Sequence, residues 1–455
     1  MKKNSDAVLS PVRYRGMRSS IPLKSRILKS CLYVMAIGLI TLVAWFRLPE
    51  ISRGTLWAED ASVFLRETIS IGPWLSIGEP YAGYLHTIPR IVSAIAYSVA
   101  PIESYAWLMS FISCAVVASI SVACYVLSGQ MFHQRSYRLM VALVPVLVPI
   151  GPLEVLGNAA NLHWYLLWLC PWLLIFEPRG WFGRSVLFLA ALLAATTEII
   201  SGIFLPLAIW AIVRRRNYWA PAGFIVGLGF QFLATVLNPR YSEAPRLDAI
   251  EPLSVVYGFL LQAVGSLWET DSTAMGKNVV SYGGFAVVIP ALIVFALLAF
   301  VLVFGDKKWR AIALYSFGAA VACWTAAILL NPTPEADFAN FTEEDWLSTF
   351  TFFRYAAAPS MFLLVLLPIA CAVAEGRGLI AANRTRYWAP VAMALFISTS
   401  YLQASSHRQS GPEWAPGVRI AKEQCMGDPS LPQTVIAVAP GPWQVDVPCA
   451  VLAGR

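Results

Sequence analysis

Two adjacent carboxylates, Glu59 and Asp60, are the residues of this chain best suited to acid–base chemistry. They lie in the otherwise apolar stretch Trp57-Ala58-Glu59-Asp60-Ala61. One carboxylate can take a proton from a substrate hydroxyl, and a pair can also bind a divalent cation such as Mg²⁺ or Mn²⁺. Such a pair is equally typical of a solvated turn or of a helix N-terminus, where carboxylates complement the helix dipole. The local sequence leaves both interpretations open.

The acidic pair belongs to a chain with the composition of an integral membrane protein. Of its 455 residues, 58% are hydrophobic and 13% are charged, and the mean hydropathy is +0.63. A soluble domain carries about 25% charged residues, so this chain lacks the polar surface of a water-soluble globule. The net charge of +7 does not indicate a nucleic-acid partner, because the Lys and Arg residues concentrate in short loops between apolar runs.

The apolar runs predict an all-α fold with eleven transmembrane helices in a lipid bilayer. They lie at about 30–47, 104–127, 139–150, 162–176, 185–199, 201–213, 218–237, 283–304, 311–330, 355–374 and 387–403. Short basic loops alternate with loops, at 151–161 and near 198, that contain no Lys or Arg. By the positive-inside rule the N-terminal arm, 1–28, is cytoplasmic, and an odd number of spans in the transmembrane domain, 29–403, places the tail, 404–455, outside.

One apolar segment, 252–268, conflicts with this parity. It is uncharged and nearly long enough to span, but counting it as a span would place Asp306–Arg310 outside. We therefore interpret it as a re-entrant or interfacial helix on the outer face. The loops assigned to that face are the long ones, 48–103, 238–282 and 331–354, and long loops often carry function.

The first outer loop, 48–103, contains a predicted amphipathic helix after the acidic pair. Hydrophobic residues recur at three- and four-residue spacing from Ile88 to Val99, which is typical of a helix with one apolar face. Arg90 and Ser93 lie on the other side. This pattern favours a helix at the membrane interface over a further span.

The eight cysteines fall into two groups. Six lie in or beside apolar runs, where a cysteine usually packs as a small apolar residue. Cys425 and Cys449 instead flank a polar segment rich in Pro and Gly in the predicted external tail, and an exported compartment permits disulfides. We therefore predict a Cys425–Cys449 bond, which would stabilise this small segment by about 3 kcal/mol.

The first outer loop resembles a known group of membrane proteins. The motifs W-A-E-D at 57–60, P-Y-A-G-Y-L-H at 80–86 and Pro89-Arg90 are similar to those of bacterial proteins related to the GT-C superfamily of membrane glycosyltransferases. The similarity covers about residues 55–92. Weaker similarities occur at 158–164, at Thr197-Glu198, at Arg354-Tyr355 and in the paired-cysteine tail.

The resemblance implies a GT-C-like fold and an inverting enzyme of the bacterial plasma membrane. Such an enzyme transfers a sugar from a polyprenyl phosphate to a glycan or lipid acceptor at the outer face. A single displacement needs one base for the acceptor hydroxyl and positive charge for the departing phosphate. By position we assign Asp60 as the base and Glu59 as its helper or a metal ligand. Arg90 and Arg354 are the candidate ligands of the donor phosphate, although Arg354 also suits a snorkelling interfacial residue.

Further polar and aromatic residues on the same face are candidate substrate ligands. Glu198 lies between two apolar runs, where a carboxylate is costly and usually functional, with a solvated turn as the alternative. The other candidates each have an ordinary structural alternative, as interfacial hydrogen-bonding residues, helix caps or members of an aromatic belt. They are Trp57, Tyr84, His86, Asn161, His163 and Tyr355.

Two rival functions fit a chain of this kind. A transporter or flippase of lipid-linked sugars is expected to have matching halves, and no internal repeat is evident in the sequence. A non-catalytic, GT-C-like subunit of envelope assembly is the second rival. A nucleotide-binding enzyme is disfavoured, because the sequence contains no Walker A motif and no zinc-type Cys/His spacing.

Overall fold

The computed structural model of the chain describes residues 23–240, 251–381, 384, 387–394 and 406–454. Most of the predicted N-terminal arm, part of the outer loop 238–282 and about half of the predicted span 387–403 therefore lie outside the described residues. Within them the fold is mainly helical, with two small antiparallel sheets of two strands each. This agrees with the prediction of an all-α membrane protein at the level of fold class.

Residues 387–394 are helical, and the α-helices with both ends among the described residues are the following. They are α1 (Leu23–Arg47), α2 (Glu50–Arg53), α3 (Arg66–Ile71), α4 (Thr87–Val99), α5 (Tyr105–Leu127), α6 (Arg135–Leu147), α7 (Leu162–Ile175), α8 (Gly180–Ala195), α9 (Leu205–Val213), α10 (Trp219–Leu237), α11 (Pro252–Gly258), α12 (Ser272–Tyr282), α13 (Val288–Phe304), α14 (Lys307–Leu330), α15 (Glu343–Ser348), α16 (Ala357–Leu364), α17 (Leu366–Gly376), α18 (Trp414–Gly427) and α19 (Cys449–Gly454). The strands are β1 (Pro80–Tyr81), β2 (Tyr84–Leu85), β3 (Gln433–Ala437) and β4 (Gln444–Pro448).

Wider and tighter helical turns connect these elements. The π-helical segments are Asp60–Leu65, Gly151–Val155 and Phe259–Val264. The 3₁₀ segments are Leu75–Gly78, Ile102–Ser104, Ser128–Gln130, Ile199–Phe204, Gly265–Leu267, Gly283–Val287, Pro334–Ala336, Phe338–Asn340, Arg354–Ala356 and His407–Ser410. π-turns are often found at functional sites, and here one of them begins at the acidic pair.

Among the described residues, six helical stretches are long and apolar enough to cross a membrane. They are Ile27–Arg47, Ile102–Gln130, Trp219–Leu237, Ser272–Phe304, Lys307–Leu330 and Arg354–Gly376. Large apolar side chains on two of them, Phe232 and Phe285, are 73% and 78% exposed, as expected of surfaces that face lipid. The chain therefore has the features of a multi-pass membrane protein. Shorter apolar helices occupy several of the other predicted runs, so the count of eleven spans stays a prediction.

The basic loops predicted on one side of the bilayer meet at one end of the molecule. The Glu177 carboxylate pairs with Arg216 at 3.0 Å, and the Glu177 backbone carbonyl accepts a hydrogen bond from Gln130 Nε2 at 2.8 Å. Lys308 Nζ donates to the carbonyl of Met131 at 3.3 Å. We call this region the basic end; it comprises residues 128–138, 177–179, 214–217, 305–310 and 375–378.

The loops predicted on the other side meet at the opposite end of the helices. Thr87 Oγ1 donates to the carbonyl of Thr196 at 3.1 Å, which joins the first outer loop to the turn before Glu198. The Arg354 guanidinium donates to Glu154, which joins the loop 331–354 to the loop 151–161. We call this region the polar end; it comprises residues 48–103, 151–161, 196–200, 331–356 and 406–454.

The segment 252–268 lies along the polar end. Ser254 Oγ donates to Asp337 Oδ1 at 2.6 Å, and Gln262 Nε2 donates to the carbonyl of Thr351 at 2.7 Å. Beyond the segment, α12 packs so closely on α15 that a Cβ atom on Gly276 would lie 2.0 Å from the carbonyl oxygen of Trp346. The segment thus begins and runs beside the same outer loop, and its interpretation as a re-entrant helix stays a prediction.

The C-terminal residues 406–454 form a small lobe of α18, α19 and the β3–β4 hairpin. The predicted disulfide is present and joins Cys425 to Cys449, with a Cα–Cα distance of 5.6 Å. The lobe is docked on the first outer loop: Trp414 Nε1 donates to the carbonyl of Ile102 at 2.6 Å, and the Ala58 amide donates to the carbonyl of Ala439 at 2.5 Å. The lobe therefore holds the backbone that leads directly into the acidic pair.

The helix predicted in the first outer loop is present as α4, but its polar side faces the protein interior. Arg90 and Ser93 are 1% and 0% exposed, whereas Val99 is 65% exposed. Arg90 and Ser93 therefore contact the protein interior, and the location of α4 at the membrane interface stays a prediction. Ser93 is hydrogen-bonded to Tyr105 and Thr68, since buried hydroxyl groups require partners.

Candidate active site

The two carboxylates of the acidic pair face different surroundings. Glu59 precedes the π-helix Asp60–Leu65, and consecutive residues of a helix do not share a face. Asp60 is 1% exposed and points into the protein, whereas the Glu59 side chain is 16% exposed. The two residues therefore have separate tasks, which their adjacency in the sequence does not show.

Asp60 is a buried acceptor of backbone hydrogen bonds. Its Oδ1 and Oδ2 atoms accept from the amides of Ala160 and Ala159 at 2.8 and 3.2 Å. Burial raises the pKa of the Asp60 carboxyl to about 7, although these hydrogen bonds and the positive charge of Arg408 favour its ionised form. Asp60 therefore fixes the loop before α7 in position beside the first outer loop.

Arg408 of the C-terminal lobe is inserted into the same interior. Its guanidinium is buried and donates to the carbonyls of Gly157 and Leu156 at 2.8 and 2.9 Å. Burial lowers the pKa of Arg408 to about 10, so the group is still charged at neutral pH, and the nearby Asp60 carboxylate opposes this shift. The lobe thus supplies the positive charge that accompanies Asp60.

Gly157 permits this close approach. Its φ is +68°, a backbone conformation that residues other than glycine rarely adopt. A Cβ atom at this position would lie 2.3 Å from Leu48 Cδ1 and 3.1 Å from Arg408 Nη2. The turn at 156–157 can therefore contact Leu48 and Arg408 only because residue 157 is a glycine.

Glu59 faces Arg354 across the polar end. Its Oε1 lies 4.0 Å from Arg354 Nη2, and its buried Oε2 has no hydrogen-bond partner among the described residues. Arg354 Nη1 donates to Glu154 Oε1 at 2.6 Å, and the Arg354 side chain is 29% exposed. Within the part of the chain that the structure describes, this arrangement leaves Glu59 Oε2 without a hydrogen-bond partner and the Arg354 guanidinium partly exposed.

Glu154 is a site residue that our sequence analysis missed. It lies in the π-helix Gly151–Val155 within a loop without Lys or Arg, and it is 8% exposed. The signal was present, because Glu154 is a lone carboxylate between two apolar runs, as is Glu198. Its partner Arg354 is 200 positions away in the sequence, so the pairing itself was not visible.

His407 of the lobe completes this side of the site. Its Nδ1 lies 4.0 Å from Glu154 Oε2, and its Nε2 lies 3.4 Å from Thr351 Oγ1. The lobe therefore contributes two consecutive residues, His407 toward Glu154 and Arg408 toward Asp60. Neither was a sequence candidate, because no motif distinguishes them in the tail.

Three tyrosines surround the Glu59–Arg354 gap. Tyr84 is close enough to interact electrostatically with Glu59, Arg354 and Tyr355, and Tyr81 with Glu59 and Arg354. Burial and the negative charge of Glu59 raise the pKa of Tyr81, so its hydroxyl stays protonated and can donate a hydrogen bond. Arg354 also lies over the ring of Tyr355, 5.6 Å from its centroid. We define the polar cluster as Glu59, Tyr81, Tyr84, Glu154, Arg354 and Tyr355.

The two predicted histidines, His86 and His163, lie beside the polar cluster. The ring of His86 stacks on Tyr84 with a centroid distance of 4.0 Å, and its Nδ1 lies 3.2 Å from the Tyr84 carbonyl. Burial, with the nearby His163 and Arg90, lowers the pKa of His86 well below its usual range, so the ring is neutral. His163 Nδ1 is hydrogen-bonded to Glu198, whose other oxygen caps the 3₁₀ segment at Ile200.

Three sequence candidates have structural contacts instead of a place in the polar cluster. Arg90 is buried and pairs with Glu67 at 2.5 Å, so it is not available to a donor phosphate. Trp57 is 5% exposed and packs against the lobe residue Ala439, which removes its ring face from a sugar. Asn161 is 2% exposed, precedes α7 without a side-chain capping hydrogen bond, and donates to the carbonyl of Glu154 at 3.2 Å.

The two carboxylates of the acidic pair do not converge on one point in the structure, and a role for them as metal ligands stays a prediction. Mg²⁺ and Ca²⁺ require several converging oxygen atoms, but both Asp60 oxygens accept backbone hydrogen bonds and Glu59 points toward Arg354. Among the described residues no group of three or more His, Cys, Asp or Glu side chains is placed to hold a metal ion. Arg354 already provides positive charge where a ligand would bind.

Comparison of the chain with protein-family models, with curated proteins and with solved structures finds no match. The chemical capacity of the site follows from its own side chains. The polar cluster combines one carboxylate oxygen without a partner, one partly exposed guanidinium and three tyrosine rings. These groups can accept a proton, bind an anion and stack on a ring in one place.

Proposed function

We propose that this chain is a membrane glycosyltransferase that moves a sugar from a polyprenyl phosphate donor to an acceptor hydroxyl, with inversion. The observation that carries the proposal is the gap between Glu59 and Arg354. The carboxylate of Glu59 and the guanidinium of Arg354 lie side by side, with Oε1 4.0 Å from Nη2, in a partly buried site lined by aromatic rings. These are the two groups that a single displacement at a glycosyl phosphate requires.

We assign the general base to Glu59, which reverses the order chosen from sequence position. A base must reach the proton that it removes, and both Asp60 oxygens are already engaged by backbone amides in the interior. Glu59 Oε2 has no such partner among the described residues. Asp60 is then a positioning residue, which holds the loop that carries Glu154.

Arg354 is the proposed ligand of the donor phosphate. As Glu59 takes the proton of the acceptor hydroxyl, the acceptor oxygen bonds to the anomeric carbon and the bond from that carbon to the phosphate oxygen breaks. The negative charge that develops on the departing polyprenyl phosphate is stabilised by the guanidinium. Glu154 holds Arg354 in place through Nη1, and Arg354 Nη2 donates no hydrogen bond to the described residues. This division of labour takes no step through a metal ion.

Aromatic side chains are the proposed sugar-binding groups. Tyr81, Tyr84 and Tyr355 are each half-buried beside the charged pair, whereas Trp57 is covered by the lobe. A tyrosine presents an apolar ring face and a hydroxyl donor in the same place, so it can contact both surfaces of a pyranose. The specificity for one sugar is therefore expected to depend on these three positions.

The polar end is the proposed external end. It carries the disulfide Cys425–Cys449, a bond that persists in exported compartments, and the opposite end carries the basic loops. With the predicted eleven spans, the site then lies at the outer face of a bacterial plasma membrane. A lipid-linked donor and a glycan or lipid acceptor are both accessible there.

The experiment that tests this function is transfer by purified full-length Glu59→Gln protein, with a panel of polyprenyl-phosphate sugars. General-base catalysis contributes about 10²- to 10⁴-fold, so we expect transfer to fall by about that factor. Arg354→Gln should lower the rate by a similar amount, since it removes the charge that stabilises the leaving group.

The matched control is Glu50→Gln, which changes an exposed carboxylate on the same outer loop. It should retain the activity of the unchanged protein. Each variant is first checked for an unchanged melting temperature in detergent. Full transfer by folded Glu59→Gln protein would exclude Glu59 as the base, whereas no transfer by the unchanged protein with any donor of the panel would favour a non-catalytic envelope-assembly subunit.

A further inference from the structure

A cavity of about 820 Å³ lies at the basic end, far from the polar cluster along the helices. It is lined by α7, α9, α14 and α16, and it reaches from Lys308 and Arg216 inward to Trp168 and Phe362. Its volume is within the range of about 300–1,000 Å³ that is typical of small-molecule sites.

The walls of this cavity are apolar and open toward lipid. Trp210 and Tyr315 line it and are 44% and 37% exposed, so one side of the cavity faces the surroundings of the helices. Deeper in, Trp168 and Trp172 form an edge-to-face pair with ring centroids 5.5 Å apart. Such a surface would be occupied by a hydrocarbon chain in a bilayer, because water cannot satisfy it.

The mouth of the cavity is positively charged. Lys308 Nζ contacts the carbonyl of Met131 at 3.3 Å and lies over the ring of Trp309, and within the described residues no carboxylate pairs with it. Arg216 also lines the mouth and pairs with Glu177 at 3.0 Å, with both side chains about half exposed. Pairs of this kind are weak, so Arg216 can exchange Glu177 for another anion.

We propose that this cavity binds one anionic phospholipid. Its phosphate contacts Lys308 and Arg216 at the mouth, and an acyl chain fills the apolar space between α7, α9 and α14. Basic pockets between transmembrane helices are suited to anionic lipid head groups, because the charge at the mouth and the apolar depth match the two parts of the lipid. A soluble phosphate would leave the apolar walls uncovered, and a zwitterionic lipid would leave the charge at the mouth unbalanced.

The position of the cavity connects it to the polar cluster through the helices themselves. Helix α7 carries Trp168 in the wall and His163 at its other end, and Pro206 in the wall follows Glu198 after one short 3₁₀ segment. A lipid in the cavity would therefore pack against the elements that hold the His163–Glu198 pair. Lipid binding itself does not depend on the proposed enzymatic function.

The test is native mass spectrometry of the full-length protein in detergent, titrated with phosphatidylglycerol or with phosphatidylcholine. We expect one tightly bound phosphatidylglycerol and no comparable phosphatidylcholine adduct. A lysine near an anionic lipid contributes about a fivefold change in affinity, so Lys308→Gln should weaken the binding of phosphatidylglycerol by about that factor. The matched control Lys307→Gln changes a neighbouring exposed lysine outside the cavity and should bind normally.

A second pair of variants tests the acyl chain. Ala311 lines the cavity and is exposed, so Ala311→Phe should block the space without disturbing the protein core. Leu314→Phe alters a side chain that is 52% exposed on the same helix outside the cavity, and it should bind lipid normally. Equal binding of both lipids, or of phosphatidylglycerol by all four variants, would overturn the proposal. So would preferential binding of a polyprenyl phosphate without binding of phosphatidylglycerol.

Discussion

The two ends of this molecule hold their charges in opposite ways. At the polar end Asp60, Arg408 and Glu154 are at most 8% exposed, and each is bound to specific partners from a distant part of the chain. At the basic end Arg216 and Glu177 are about half exposed, and their ion pair is a single contact. Burying a charge is unfavourable unless it is paired and hydrogen-bonded, so only the polar end carries a large energetic cost.

This difference in burial is consistent with the functions proposed for the two ends. Exposed basic residues are enough to orient a membrane protein and to attract an anionic head group, and neither task needs a fixed geometry. Acid–base chemistry and phosphate binding require groups at fixed positions in a site of low polarity. We therefore expect substitutions at the polar end to have large effects and equivalent substitutions at the basic end to have small ones.

The largest difference in stability is expected between two arginines. Arg408→Ala removes the donor to the buried carbonyls of Gly157 and Leu156 and the cation beside Asp60, which should destabilise the protein by about 3 kcal/mol or more. Arg377→Ala removes a hydrogen bond from an exposed side chain to the carbonyl of Phe304 and should cost at most about 1 kcal/mol. Thermal unfolding in detergent compares the two variants. Equal decreases in melting temperature would mean that the buried network around Arg408 contributes no more stability than an exposed hydrogen bond.

The pH dependence of stability should identify Asp60. The pKa of this carboxyl is raised to about 7 in the folded protein, so the folded state holds the proton more tightly than the unfolded chain does. The resulting stabilisation is present at low pH and is lost as the pH rises from about 4 to about 7, by at most about 1.4 kcal/mol per pH unit.

Asp60→Asn should remove this slope, since asparagine does not titrate. Melting temperatures of both proteins across this pH window provide the measurement. A slope that is unchanged in Asp60→Asn would assign the titration to another group.

The smallest difference is expected between two glycines with nearly the same backbone conformation. Gly157 has φ +68° and Gly378, at the basic end, has φ +69°. An alanine at either position adopts an unfavourable conformation, which costs about 1–2 kcal/mol. At Gly157 the new Cβ also meets Leu48 Cδ1 at 2.3 Å, which adds about 1–3 kcal/mol, whereas nothing lies within 4 Å of a Cβ at Gly378.

Melting temperatures of Gly157→Ala and Gly378→Ala measure this difference directly. Because the backbone cost is common to both variants, the difference between their melting temperatures isolates the close packing of the turn at 156–157 against Leu48. If the two variants melt at the same temperature, the turn at the polar end is not tightly packed.

Part of the site was visible in the sequence because its residues stand out against their surroundings. Glu59, Glu198 and His163 are polar residues at or between apolar runs, and the structure places them at or beside the polar cluster. Cys425 and Cys449 were recognised for a similar reason, as the two cysteines outside the apolar runs. Signals of this kind need only local sequence, since the cost of burying a polar group in lipid is a local property.

Other parts of the site could not be read in this way. Glu154 stood out in the sequence as much as Glu198 did, but its role depends on a contact with Arg354 across 200 positions. His407 and Arg408 lie in a polar tail where charged residues are ordinary, and only the docking of the lobe brings them to Glu154 and Asp60. Arg90 shows the reverse case. Its position in the sequence suggested a phosphate ligand, but in the folded protein it forms an ion pair with Glu67.

The amino-acid sequence by itself determined the membrane character of the chain and the alternation of basic and uncharged loops. These follow from composition and periodicity, because hydrophobicity acts on each segment separately. Only the tertiary structure decided which of two adjacent carboxylates is free. Glu59 and Asp60 are alike in sequence, and what separates them is that the loop before α7 and the C-terminal lobe enclose Asp60 and leave Glu59 facing Arg354.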